Sequence, residues 1–341
     1  MKKLLSFVLC LALLLAACGN KNEASSSKSD SKERTFTTEN GDKVKIPKNP
    51  KRILLLTANY GNLKKLGVEP VAITSVFPDS KYLDMKDVKK IDPEDVEAAA
   101  KLKPDLIVTY KENKNNNKLS KIAPTVSLKI QDTDYKQTHI EYGKLVNKEE
   151  KAKKQADELS DKLLKDGKEI KKHIGADKTA SIMDVQAKEI YQFGSRFGRG
   201  SDAIFDGFKL KEDPEAKKAM PKEKFMKVPQ EKFNDYSGDY LFIPTKDGKK
   251  PNNEFTNSTI WKNNKAVKNN NVIYYTSNEA LYGDLISVEK QAETFKKELL
   301  KNNKITKKKL ELSFFFVILL FYPSSYYIHT ILILSLHRVK I

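Results

Sequence analysis

The run Phe197-Gly198-Arg199-Gly200 sets one arginine between two glycines. A guanidinium on such a small-residue loop offers a planar fork of donors that fits two adjacent ligand oxygens. Tyr191 and Phe197 supply rigid aromatic area beside it, and the tyrosine adds one hydrogen bond. Packing between a strand and a helix is the plainer account of the two aromatics, but it does not explain an arginine flanked by glycines. Tyr60, after the first core strand, and Tyr282, after the last strand, are further cleft candidates, with Tyr110 behind them. The single tryptophan, Trp261, reads as a core or surface anchor.

Catalytic constellations are missing from the sequence. There is no Gly-x-Ser-x-Gly elbow, and residues 194–200 spell G-S-R-F-G-R-G without the Lys-Ser/Thr of a phosphate loop. The four histidines, His139, His173, His329 and His337, are far apart, which argues against a dedicated metal site. No catalytic or metal-ligating residue is assigned, and the protein is read as a non-enzyme.

A third piece of chemistry sits at the start of the chain. Lys2 and Lys3 lead an apolar run that ends Leu15-Ala16-Ala17-Cys18-Gly19, the form of a secretory signal whose small residues precede a cysteine. Residues 1–17 are read as a lipoprotein signal peptide, with the Cys18 thiol carrying the lipid (diacylglyceryl and palmitate); an uncleaved signal anchor would have no use for that ending. The only other cysteine, Cys10, lies within the signal, so the mature chain holds no disulfide. Residues 18–35, rich in Ser, Lys, Asn and Asp, read as a flexible tether.

The elements that must hold these residues alternate. Around Asn40-Gly41 two short extended runs suit a hairpin with a type I′ turn. Arg52-Ile53-Leu54-Leu55-Leu56 is a continuous apolar run of the kind found in buried parallel strands. Helix-then-strand units follow at 62–74, 93–110 and 118–128, which implies a parallel sheet with helices on its faces. In 147–174, Ala152, Ala156, Leu159, Leu163 and Ile170 recur on one helical face, with Gly167 as a weak point. That helix would reach about 40 Å. Strand and helix segments then resume. The fold class is α/β: an N-terminal lobe over 36–146, a connecting helix over 147–174 and a C-terminal lobe over 175–302, each lobe with a mostly parallel sheet.

The net charge of +18 does not point to nucleic acid, because lysines alternate with Asp and Glu along the helical segments, as on a solvated face. The last segment, 303–341, fits neither lobe. Its apolar stretch is interrupted by Pro323-Ser324-Ser325, and it reads either as a second membrane anchor or as translation past a lost stop codon.

Five short motifs carry a resemblance: Pro50-Lys51-Arg52-Ile53, Leu63-Lys64-Lys65-Leu66-Gly67, Ile91-Asp92-Pro93-Glu94-Asp95-Val96-Glu97, Lys103-Pro104-Asp105-Leu106-Ile107 and Ile122-Ala123-Pro124-Thr125-Val126. In this order they resemble the helical-backbone binding proteins for iron siderophores and cobalamin. Tyr191, Phe197-Gly198-Arg199-Gly200, Val228-Pro229-Gln230-Glu231 and Gly238-Asp239-Tyr240 narrow the resemblance to hydroxamate (ferrichrome-type) siderophore-binding lipoproteins of Gram-positive bacteria. The resemblance implies that Tyr191, Phe197, Arg199, Tyr60 and Tyr282 face a ferric hydroxamate siderophore in an inter-lobe cleft, with the iron held by the siderophore rather than by the protein. Position 197 often holds tryptophan in this family, and Ile130 falls where a tyrosine is common. It also implies that Glu97 and Glu231, one per lobe, dock onto an ABC permease, and that the protein is a monomer anchored by lipid on the extracellular face of the cell membrane. Binders of catecholate or carboxylate siderophores, haem and cobalamin share the scaffold, and a wall-binding adhesive lipoprotein is the alternative outside it.

Overall fold

In the computed structural model, residues 32–301 are described, except 40 and 130–133. The signal peptide, Cys18, most of the tether, Asn40, Ile130 and the 303–341 tail lie outside the described residues. A two-stranded hairpin opens the fold, β1 (Glu33–Thr37) against β2 (Lys43–Pro47), with Phe36 and Ile46 buried. Strand β1 thus begins inside the range read as tether. The hairpin closes on Thr38 and Asp42 rather than on the two residues beside Asn40-Gly41: Thr38 N–H donates to the Asp42 carbonyl at 2.9 Å and Thr38 Oγ1 accepts from Asp42 N–H at 3.1 Å.

The N-terminal sheet is built from β3 (Ile53–Leu55), β4 (Ala72–Thr74), β5 (Lys90–Ile91), β6 (Leu106–Tyr110) and β7 (Thr125–Leu128). Its order is β5-β4-β3-β6-β7 and every pairing is parallel. Ile53, Leu55, Leu106 and Val108 pack into one core while Leu54 and Ile107 pack into another on the opposite face. Both faces are covered, which is why these strands read as unbroken apolar runs. Connecting helices α1 (Tyr60–Leu66), α2 (Val96–Lys101) and α3 (Asn116–Leu119) overlap the helical parts of these units, α1 and α3 each starting two residues earlier.

Two antiparallel helices follow, α4 (Tyr135–Leu145) and the 26-residue α5 (Glu149–Ile174). The buried face of α5 spans both lobes: Ala152 packs into the N-terminal core, and Ala156, Leu159, Leu163, Ile170 and Ile174 pack into the C-terminal core. Gly167 is a packing requirement here rather than a weak point, since a Cβ on it would lie 2.2 Å from the Phe208 carbonyl oxygen.

The second sheet contains β8 (Thr179–Val185), β9 (Ile190–Phe193), β10 (Lys211–Glu212), β11 (Phe225–Val228), β12 (Tyr240–Thr245) and β13 (Val272–Thr276). Strands β10, β8, β12 and β13 are parallel, while β9 and β11 form an antiparallel edge that the sequence pattern did not reveal. The expected helix after Ser201 is a wide π-type turn, Asp202–Gly207, closed by Phe208 N–H to the Ala203 carbonyl at 2.8 Å. A helix over 285–301 ends the described chain.

Candidate functional site

A cavity of about 500 Å³ opens between the lobes. Its N-lobe wall is made by residues at the carboxyl ends of the parallel strands: Leu56, Ala58 and Asn59 after β3, Thr74 and Val76 with β4, Thr109 and Tyr110 with β6, and Leu128 with β7. Open α/β sheets bind ligands at this edge, because loops there converge without any strand side chain blocking them. The facing wall is the loop of Arg196, Phe197, Gly198 and Arg199 with Asp202, Leu281 and Gly283, and α4 closes the side with Tyr135, Thr138, Glu141 and Tyr142.

The arginine loop has an unusual backbone. Gly198, Arg199 and Gly200 all have positive φ, at +86°, +57° and +88°. Arg199 is the costly one, since a side chain in the left-handed region is uncommon. Its carbonyl accepts a 2.6 Å hydrogen bond from the Tyr275 hydroxyl, which fixes the loop to β13. The Arg199 guanidinium lies 5.5 Å from the centre of the Phe193 ring, and Phe193 stacks on Phe197 with ring centres 5.0 Å apart. Among the described residues no carboxylate pairs with Arg199, so its donors remain available to the cavity. Arg196 is committed instead: its guanidinium reaches Asp134 at 3.8 Å and Asp206 at 3.6 Å.

Tyr110 is held by Ala58 N–H, which donates to its hydroxyl at 3.0 Å, and burial pushes its pKa up to about 12. Two buried carboxylates also face the cavity. Glu141 has its pKa raised by burial, with Lys144 acting against the rise. Asp202 is pushed up to about 7 by burial and then by Asp206. Sequence reasoning singled out neither, because an acidic residue announces its burial only once the chain is folded.

Of the residues read from the sequence, Arg199 and Phe197 line the cavity, and so does Tyr110. Tyr191 on β9 stands outside the lining, half-buried, its hydroxyl donating to Glu189 at 2.9 Å. Two expectations need correction. Tyr60 is 2% exposed and points into the N-lobe core, its hydroxyl on Glu69 at 2.9 Å. Tyr282 is 1% exposed and also enters the N-lobe core, where its hydroxyl donates to the Pro78 carbonyl. The Tyr282 hydroxyl bond to Pro78 joins the last segment of the C-terminal half to the N-lobe, so Tyr282 acts as a clasp between the lobes. Trp261 is in the core, stacked on Phe233 at 5.6 Å. Glu97, in the first turn of α2, and Glu231, in a single 3₁₀ turn Gln230–Lys232, are exposed.

A family model described as periplasmic binding protein matches residues 55–279. An iron(3+)-hydroxamate-binding protein of Bacillus subtilis, FhuD, is 39% identical over 306 residues, 86% of this chain and 96% of that protein. Among solved structures, FhuD2 from Staphylococcus aureus with bound ferrioxamine B is 36% identical, covers 74% of this chain and 99% of its own, and superposes with a TM-score of 0.69. The FhuD protein from S. pseudintermedius is 33% identical over 79% of this chain and 99% of that chain, with a TM-score of 0.73.

Proposed function

The chain belongs to the periplasmic binding protein family, whose members are transport binding proteins and not enzymes, and from that premise we propose that it captures ferric hydroxamate siderophores in the inter-lobe cavity for import of their iron. Anchored by lipid at Cys18 on the extracellular face of a Gram-positive membrane, it hands the chelate to an ABC permease through Glu97 and Glu231. The observation that carries the ligand class is the uncommitted Arg199 guanidinium on the cavity wall, beside Phe197, which also lines the cavity and stacks on Phe193 behind it. A ferric trihydroxamate presents paired oxygens to such a fork and hydrocarbon to such rings.

Charge favours the same class. Among the described lining residues, Glu39, Glu94, Glu112, Glu141 and Asp202 stand against Lys129, Arg196 and Arg199. Three hydroxamates neutralise iron(III), whereas ferric tris-catecholate and ferric citrate complexes are anionic, and this lining, with burial holding Glu141 and Asp202 towards their neutral forms, offers no excess of positive charge to balance them. The test is calorimetric titration with ferrichrome and ferrioxamine B beside ferric enterobactin, ferric citrate, haemin and cobalamin. Submicromolar binding of the two hydroxamates, weakened at least about tenfold by Arg199→Ala, supports the reading. Preference for one of the other chelates overturns the ligand class, and no saturable binding at all favours a wall-binding lipoprotein.

A further inference from the structure

Asp202 is a cavity group to which the hydroxamate reading gives no ligand contact. It is 6% exposed and lines the cavity, and among the described residues its side chain takes no hydrogen bond except from its own backbone N–H. Arg196, the guanidinium whose charge acts on Asp202, is spent on Asp134 and Asp206. The groups that act on Asp202 are therefore Asp206 and Asp134, which disfavour its charge, and Arg196, which favours it, while the Tyr135 hydroxyl lies close enough to feel it. On the remaining side stands Gly283, where a Cβ would come 3.4 Å from Asp202 Oδ2. Gly283 itself lines the cavity, so the missing side chain leaves this carboxylate oxygen open towards a ligand.

A buried carboxylate without a partner is expensive, and a cation brought by the ligand removes that cost. Arg199 already serves the hydroxamate oxygens, so the cleft presents both signs of charge to one ligand. We propose that Asp202 determines specificity by accepting a protonated amine carried on the hydroxamate siderophore. This rests on the hydroxamate reading above and adds to it a preference within the class: an amine-bearing chelate over a neutral one of the same size.

The experiment compares ferrioxamine B, which ends in an ammonium group, with its N-acetylated derivative, which keeps an N–H donor but loses the charge. Both are titrated calorimetrically into the full-length chain at pH 6 and pH 8. The expected result is a preference of about tenfold for the amine at pH 8, the size of one charged hydrogen bond. The preference narrows at pH 6, as Asp202 takes up a proton. Asp202→Asn brings the ratio close to one. Gly283→Ala, which sets a methyl against Oδ2 while leaving the carboxylate in place, lowers the ratio as well, so the outcome does not depend on one variant folding. Equal affinities in the unsubstituted protein at pH 8, or a preference that survives both substitutions, overturn the role of Asp202 alone. Failure of both ligands to bind the unsubstituted protein overturns the hydroxamate reading and this inference with it.

Discussion

The Asp284 carboxylate occupies the space that a side chain at Gly61 would need. A Cβ on Gly61 would stand 1.9 Å from Asp284 Oδ1, so helix α1 of the N-lobe lies directly on the entrance to the last helix of the chain. Asp284 cannot swing away, because it caps that helix: it accepts from Ser287 N–H at 3.0 Å and from the Ser287 hydroxyl at 2.8 Å. Next to it, Leu285 N–H donates to Asn62 Oδ1 at 3.1 Å. Together with Tyr282 these contacts tie the lobes at a second place besides α5, and they keep the cleft walls in register.

Gly61→Ala should therefore destabilise the protein by about 1–3 kcal/mol or more, the usual cost of overpacking a filled site. Thermal unfolding should show Tm lower by several degrees. Asp284→Ala in the same chain should recover part of the loss, giving a non-additive cycle. A Tm unchanged by Gly61→Ala alone would show that the junction is loose.

His139 predicts a pH dependence. It is fully buried, with Nδ1 2.9 Å from Asn62 Oδ1 and Nε2 3.0 Å from Gln155 Oε1. Burial holds its pKa down at about 4, against the hydrogen bond to Gln155 and helped by Lys65 and Lys151. The unfolded chain takes up this proton near pH 6.5 and the folded chain only near 4. The contribution of His139 is thus complete above 6.5 and lost as the pH falls through that window, by about 3 kcal/mol. Asp284, raised to about 6 by burial, and Asp202, raised to about 7, act in the opposite direction as the pH falls. The difference between unsubstituted protein and His139→Gln in urea unfolding from pH 7.5 to 4.5 isolates the histidine. Parallel profiles for the two proteins would refute the assignment.

The shape of the cleft was legible where it depended on local pattern. The unbroken run Ile53–Leu55 gave the central strand, and Ala152, Ala156, Leu159, Leu163 and Ile170 gave the long helix, because each follows from a fixed period of exposure. Arg199 was legible because glycines on both sides mark a special backbone. The direction of a tyrosine hydroxyl is not written in any period, and so the sequence alone suggests wall positions for Tyr60 and Tyr282, although each reaches into a core. The β9–β11 edge escaped for a related reason: four-residue strands such as Ile190–Phe193 and Phe225–Val228 carry too little pattern to separate them from loop. Asp202 escaped because its environment is assembled from distant segments.

Arg199→Lys should not rescue hydroxamate binding. Lysine keeps the charge but gives a single point of donation in place of a fork, and it stacks less well on Phe193. The expected loss is about tenfold, close to that of Arg199→Ala, read by calorimetry with ferrichrome. Full retention of affinity by lysine would mean that charge alone acts at this position.

Charge reversal at the surface should separate capture from delivery. Glu97 lies in the first turn of α2 and Glu231 in its 3₁₀ turn; both are exposed, and among the described residues neither has an ion-pair partner. An acidic residue in a first helical turn is worth only about 0.3–1 kcal/mol through the helix dipole, so replacing it costs the fold little. Neither residue lines the cavity. Glu97→Arg with Glu231→Arg should therefore leave Tm within a few degrees and ferrichrome affinity within about twofold, while uptake of radioactive iron by cells that depend on this protein falls at least about tenfold, since the family resemblance implies docking onto permease arginines and like charges would then face each other. Uptake that continues at the normal rate would remove both glutamates from the docking surface, and a parallel fall in chelate affinity would place their effect in the cleft instead.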